Sequence, residues 1–229
     1  MPRPRWPDST NSVSEVPGAI QTRQVDALVG LVFESPMPWA GEQRGAHSVL
    51  HTLSVHRPRW MVELAKVAAT SAVRERHSKI LLDDVVGELT AFGRRRIDDT
   101  VAEFKAQCPE LEELIPAFNR EREQMSTADL LKVIDNKILT HLQPRIAGVS
   151  GKVTNVAVAA LLYQVGLFYG RRDKSDGSYE HVSFATNPDL LKSRTNLDAG
   201  LTWEFHPVFR QALEMRDSSG RERRTTRSR

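Results

Sequence analysis

Several short stretches of this chain carry residue types that do chemistry. Gly148-Val149-Ser150-Gly151-Lys152-Val153-Thr154 has the makings of a phosphate-binding loop. Such a loop needs Gly-x4-Gly-Lys-[Ser/Thr], because its amides cradle phosphate while the hydroxyl holds magnesium. Here Ile146 stands where the first glycine belongs and Val153 where the hydroxyl belongs. The segment therefore reads as a loop between helices. Ile80-Leu81-Leu82-Asp83-Asp84 has the look of a Walker B strand, where an acid ends a buried strand and holds magnesium. The apolar run is too short and helical segments flank it, so Asp83 or Asp84 is expected to cap a helix. His47, His51 and His56 place imidazoles at metal-ligand spacing, but no cysteine lies near and the nearest acid is Glu42. They are expected to be surface or packing residues. Cys108 has no adjacent His or Asp, so it reads as a small structural hydrophobe.

Two further groups are more directional. Arg57-Pro58-Arg59-Trp60 puts arginines at the start of an amphipathic helix. A cation there opposes the helix dipole, a mismatch of a few tenths of a kcal/mol, so the arginine is expected to have a partner. Arg171-Arg172-Asp173-Lys174 is the strongest basic cluster on the ordered part, and a hairpin tip of this kind suits a DNA backbone. The helix that would enter the groove spans 153–165. It offers only Thr154, Asn155 and Gln164 for base edges, and the remainder wants burial.

The elements that must position these groups read helical first and mixed later. Val25, Leu28, Val29 and Val32 mark one helix face, which Pro36 and Pro38 stop. A loop with Gly41 and Gly45 follows. Pro58 opens a strong helix with Met61, Leu64, Ala65, Ala68 and Ala72 on one side. Val85, Leu89 and Phe92 form one stripe of the next helix. Ile97, Val101 and Phe104 form a second stripe beyond Gly93, where the helix is expected to bend or change partners. Pro109 and the acids after it start another helix. Ser126-x-x-Asp129 forms a capping box ahead of Leu130, Ile134 and Ile138. Leu167–Gly170 and Tyr179–Phe184 flank Asp176-Gly177, a hairpin signal. Leu201, Trp203 and Phe205 alternate with polar residues as a half-buried strand, and Pro207 opens a short final helix.

This pattern predicts a mainly α fold: a helical lid-like bundle over 20–125, then a winged-helix domain over 126–215 with a small C-terminal β-hairpin. Residues 1–19 read as a disordered lead-in and 216–229 as a disordered basic tail. The 229 residues are 40% hydrophobic and 27% charged, an ordinary globular composition. The net charge of +3 comes from the ends. Six arginines from Arg216 onward, against Asp217 and Glu222, give the tail +4; Arg3 and Arg5 add +2, leaving −3 for the rest. A fold built for DNA would carry its positive charge on the ordered body. No apolar run is long enough to span a bilayer, no secretory signal is evident, and the single cysteine excludes a disulfide framework. A cytoplasmic location without membrane contact is expected.

The run Arg57-Pro58-Arg59-Trp60-Met61-Val62-Glu63-Leu64-Ala65-Lys66-Val67-Ala68 resembles the Arg-Pro-Arg helix in the C-terminal part of bacterial P-loop ATPases of the STAND/KAP-like kind. The later segments Ile80–Arg96, Asp129–His141 and Trp203–Phe209 are similar to the following parts of that region. The resemblance implies a sensor-2-like role for Arg59, toward a nucleotide supplied by another chain. With no Walker A, no ATPase activity of its own is expected, and no resident cofactor. The resemblance further implies a regulatory or interaction module in a bacterial, defence-related setting, partnered by an ATPase core or by itself. The rival reading is a DNA-binding regulator using Arg171, Arg172 and Lys174.

Overall fold

Pro58 fits the first turn of a helix because its missing N–H would have no partner there. In the computed structural model, which describes residues 24–39, 41–192 and 200–217, it does open one. A short helix α1 (24–29) leads into strands β1 (Met37–Trp39) and β2 (Glu42–Arg44), then α2 (Ala46–Leu53) and α3 (Pro58–Glu75). Trp60, Leu64, Ala68 and Ala72 bury one face of α3, a spacing of four that keeps them on one stripe. The helix ends at Arg76, in the left-handed conformation with φ of 61°.

Helix α4 (Leu82–Phe104) packs against α3. Its N-cap is Leu81 and not an aspartate. Asp84 sits one turn in and accepts the Leu81 amide at 2.9 Å, and its carboxylate also meets His77 Nδ1 at 2.9 Å. Helix α4 runs unbroken through Gly93, and there it changes partner. A Cβ at that position would lie 2.3 Å from the Val208 carbonyl oxygen, so only glycine lets the last helix cross so closely.

The second half begins with α5 (Leu111–Leu114) and a 3-10 turn at Ile115–Phe118. Strand β3 (Gln124–Ser126) is followed by α6 (Thr127–Ile134), which passes into a π-helical turn at Asp135–Leu139. Half of the capping box forms: Ser126 Oγ accepts the Asp129 amide at 3.1 Å, while the Asp129 carboxylate takes the Ser126 hydroxyl at 2.8 Å and not its backbone amide. Helix α7 (Asn155–Gln164) starts at Thr154, whose Oγ1 accepts the Ala157 amide at 3.2 Å. It is buried nearly all round, as its composition requires. Strands β4 (Phe168–Asp173) and β5 (Tyr179–Val182) form the expected hairpin, with Gly177 at φ of 81° in its turn. Strand β6 (Thr202–Phe205) and α8 (Pro207–Arg210) close the chain.

The four strands lie in the order β3-β6-β4-β5, all antiparallel. Phe168, Trp203 and Phe205 point into the core, where Phe118 and Tyr163 join them at ring-centroid distances of 5.1 to 5.5 Å. Such aromatic pairs contribute about 0.5–1.5 kcal/mol each beyond the area they bury. Trp203 Nε1 donates to Thr127 Oγ1 at 2.9 Å, tying the middle strand to the start of α6.

The mainly α expectation, a helical lid-like bundle followed by a winged helix with a terminal hairpin, is not met. Eight helices accompany two antiparallel sheets among the described residues, so the architecture is mixed α/β. The Gly41–Gly45 loop is part of the β1–β2 hairpin, with Gly41 at φ of 83°. Strand β3 was not expected either. Three-residue strands are too short to show a period of two, and β3 finds its partner β6 nearly eighty residues away along the chain. The lead-in expected for 1–19 lies outside the described residues, as does the basic tail beyond Asp217. Arg216 itself is anchored: its amide bonds to the Glu121 carbonyl at 2.9 Å. No helix among the described residues is long and apolar enough to cross a membrane.

Candidate functional site

The two arginines flanking Pro58 have different fates. Arg57 pairs with Glu103 at 2.6 Å and lies 4.7 Å from the centroid of the Trp60 ring. The same tryptophan is also met by Arg96, 2% exposed and 4.8 Å from the ring centroid. Arg96 Nη2 reaches Glu63 at 2.8 Å and Asp99 at 3.2 Å, while Nε and Nη1 have no hydrogen-bond partner. The Trp60 and Phe92 ring faces take that side of the guanidinium, an electrostatic contact that needs no acceptor atom. Arg57, Trp60 and Arg96 therefore bind α3 to α4. Arg96 carried no signal in the sequence beyond its place in an arginine run. Arg59 points away, its side chain 83% exposed and held only by Glu63 one turn on, at 3.0 Å.

The hairpin cations are already paired with acids. Arg171 bonds to Asp173 at 2.8 Å and its guanidinium lies 4.0 Å from the Tyr179 ring centroid. Arg172 reaches Glu180 at 3.0 Å, and Lys174 reaches the same carboxylate at 3.3 Å. Both cations hold the Glu180 carboxyl below its ordinary range, Lys174 first.

The remaining motifs do not assemble a reactive centre. The Gly148–Thr154 loop enters α7 from a helical turn, not from a strand. His47 Nδ1 meets Asp26 at 2.7 Å, whereas the His51 and His56 rings stack at 4.2 Å. No group of three metal-ligating side chains occurs among the described residues. Cys108 is buried, and burial pushes its thiol up in pKa, away from the nucleophilic thiolate.

A site that no motif announced lies between the two halves of the chain. Along β4, β5 and β6, side chains alternate between the core and an outer face, and the register brings Tyr169 opposite Glu204 and Arg171 opposite His181. This outer face looks across a cleft of about 850 Å³ toward Trp39 and Arg44 of the first hairpin and toward His56 and Arg57 after α2. Helix α8 closes one end with His206 and Arg210. Arg210 is buried and bonded through all three of its nitrogens: Nε donates to the Phe205 carbonyl at 2.7 Å, Nη1 to Glu123 at 3.2 Å, and Nη2 to Glu204. Burial alone would raise the Glu204 carboxyl, but the His181 hydrogen bond and Arg210 outweigh it and set it at about 2. Glu204 is thus ionised, 14% exposed and partnered by Arg210, His181 and, at 3.6 Å, Arg171. His206 is the opposite case. Burial, reinforced by Arg210, lowers its pKa to about 3, so the ring is neutral. Its Nδ1 accepts the Val208 amide, which puts the proton on Nε2.

Comparison with known proteins adds little by way of identity. No family model matches the chain, and no solved structure matches it significantly. It is 26% identical over 139 residues to a putative transposon gamma-delta 80.3 kDa protein of Escherichia coli (strain K12), an alignment covering 59% of this chain. The chain spans about a fifth of that protein's length, 20%.

Proposed function

We propose that this chain is a non-catalytic regulatory or interaction module, of the kind found in the C-terminal part of P-loop ATPases, acting on a partner macromolecule. The observation that carries the reading is Arg59: a guanidinium fixed at the first turn of a long, well-packed helix, outside the core and open to a second surface. An arginine so placed can stabilise phosphate charge on a neighbouring chain, because its fork of donors matches phosphate oxygens. The Escherichia coli relative, in which the matched stretch is a small part of a longer protein, is in keeping with a module.

The test is ATP turnover by the purified chain. Turnover at the level of a buffer blank is expected. Robust hydrolysis that Arg59→Ala abolishes overturns the proposal.

A second reading is binding of DNA through Arg171, Arg172 and Lys174, the basic cluster at the β4–β5 hairpin. Phosphate contacts by these three side chains would each release counterions and make affinity steeply salt-dependent. The acids already paired with them weigh against it.

A further inference from the structure

We infer that the cleft between the outer face of the four-stranded sheet and the α2–α4 side binds an aromatic anion: a planar ring bearing a phosphate or a carboxylate. The inference is independent of the ATPase-partner reading, since Arg59 does not line the cleft.

Three observations carry it. The first is size. About 850 Å³ lies within the range of sites that enclose a small molecule, roughly 300–1,000 Å³. The second is the walls. Tyr169 and Tyr179 flank the His181 ring at 4.1 and 5.1 Å, and Trp39 faces the same space. Flat rings lining a cleft favour another flat ring by stacking.

The third is charge and hydrogen bonding. The lining includes Arg44, Arg57 and Arg210 but, among acids, Glu204 alone, and that carboxylate is already held by Arg210 and His181. The acids paired with the other two arginines, Glu42 and Glu103, do not line the cleft and lie on the exposed side. Exposed pairs of this kind are weak, so a ligand anion competes with them readily. His206 adds a neutral Nε2–H donor for which no hydrogen-bond partner is described, on a ring that is 7% exposed and lines the cleft. A cationic ligand would meet no free carboxylate. A purely apolar one would leave the imidazole donor of His206 desolvated without an acceptor, which is costly.

The experiment is isothermal titration calorimetry of the full chain with adenosine monophosphate, thymidine monophosphate and indole acetate, and with adenosine and inorganic phosphate as half-ligands. Saturable binding of at least one aromatic anion is expected, at least about tenfold tighter than either half-ligand, because ring and charge act on one site. Preference for the nucleotides over indole acetate identifies the anion as a phosphate, and the reverse preference as a carboxylate. Arg44→Gln and His206→Phe should each weaken binding about five- to tenfold, as expected for loss of one charged or buried hydrogen bond. Arg94→Gln, on the exposed side of α4, should leave it unchanged. Near-ultraviolet circular dichroism establishes that each variant is folded; Arg44 is on a surface hairpin, so its variant reports even if the His206 variant does not fold. No saturable binding of any aromatic anion at millimolar concentration overturns the inference, as does binding that Arg44→Gln leaves intact.

Discussion

Two alanine substitutions in one helix should have opposite signs, and the reason is tertiary. Gly87 and Gly93 both lie within α4, so each carries the usual helical disadvantage of glycine, about 0.8–1 kcal/mol relative to alanine. A Cβ at Gly87 meets nothing within 4 Å, and Gly87→Ala should therefore stabilise by about that amount. A Cβ at Gly93 would sit 2.3 Å from the Val208 carbonyl oxygen and 3.0 Å from the Ala212 Cβ. The oxygen belongs to backbone and cannot rotate away, so α8 must retreat by roughly 1 Å to restore a normal contact. Overpacking of this kind costs about 1–3 kcal/mol. Set against the propensity gain of about 0.8–1 kcal/mol, Gly93→Ala should destabilise by about 0–2 kcal/mol. Urea unfolding followed by far-ultraviolet circular dichroism measures both. For a chain of this size each kcal/mol moves the melting temperature by about 2–4 °C, so the two variants should lie several degrees apart. If Gly93→Ala proves as stable as Gly87→Ala, α8 does not cross α4 at this point and the packing described above is wrong.

Other outcomes follow from the same geometry. The depressed Glu204 carboxyl stabilises the folded chain above its ordinary pKa of 4.5, and that contribution is lost as pH falls toward about 2. Glu204→Gln should thus lower stability at neutral pH and flatten the acid limb in this window; an unchanged acid limb refutes the Arg210–His181 pairing. His206, with its folded pKa lowered from 6.5 to about 3, must charge on unfolding, so stability should decline as pH drops below 6.5. His206→Gln should remove that component in acid titrations of the melting temperature. Arg59→Ala should change stability by less than about 0.5 kcal/mol, since its ion pair is an exposed one within a single helix; a larger loss by thermal melting would make it a structural residue. Neutralising Arg171, Arg172 and Lys174 together should leave duplex-DNA affinity within about twofold and its salt slope unaltered, whereas a slope reduced by about three would favour the DNA reading.

Local rules carried much of the secondary structure. Pro58 and the stripe through Leu64, Ala68 and Ala72 define α3, and Ser126 marks the start of α6. Asp176-Gly177 marks the β4–β5 turn. In each case the signal and its cause lie within a few residues of one another, so a linear reading can find them. Gly93 was legible as a point of change along α4, but not which element approached it.

What the sequence determined by itself was therefore the long helices, the second hairpin, the alternation of β6, and an arginine standing at the head of α3. Tertiary structure alone decided the mixed α/β architecture, with β6 placed between β3 and β4. It also buried Arg96 against Trp60 and turned the basic hairpin residues toward their own acids. The cleft belongs wholly to that second level. Its walls come from residues 39 to 211, distant in the chain and without any shared spacing, and pairing over such separations depends on which surfaces bury one another, a property no local window contains.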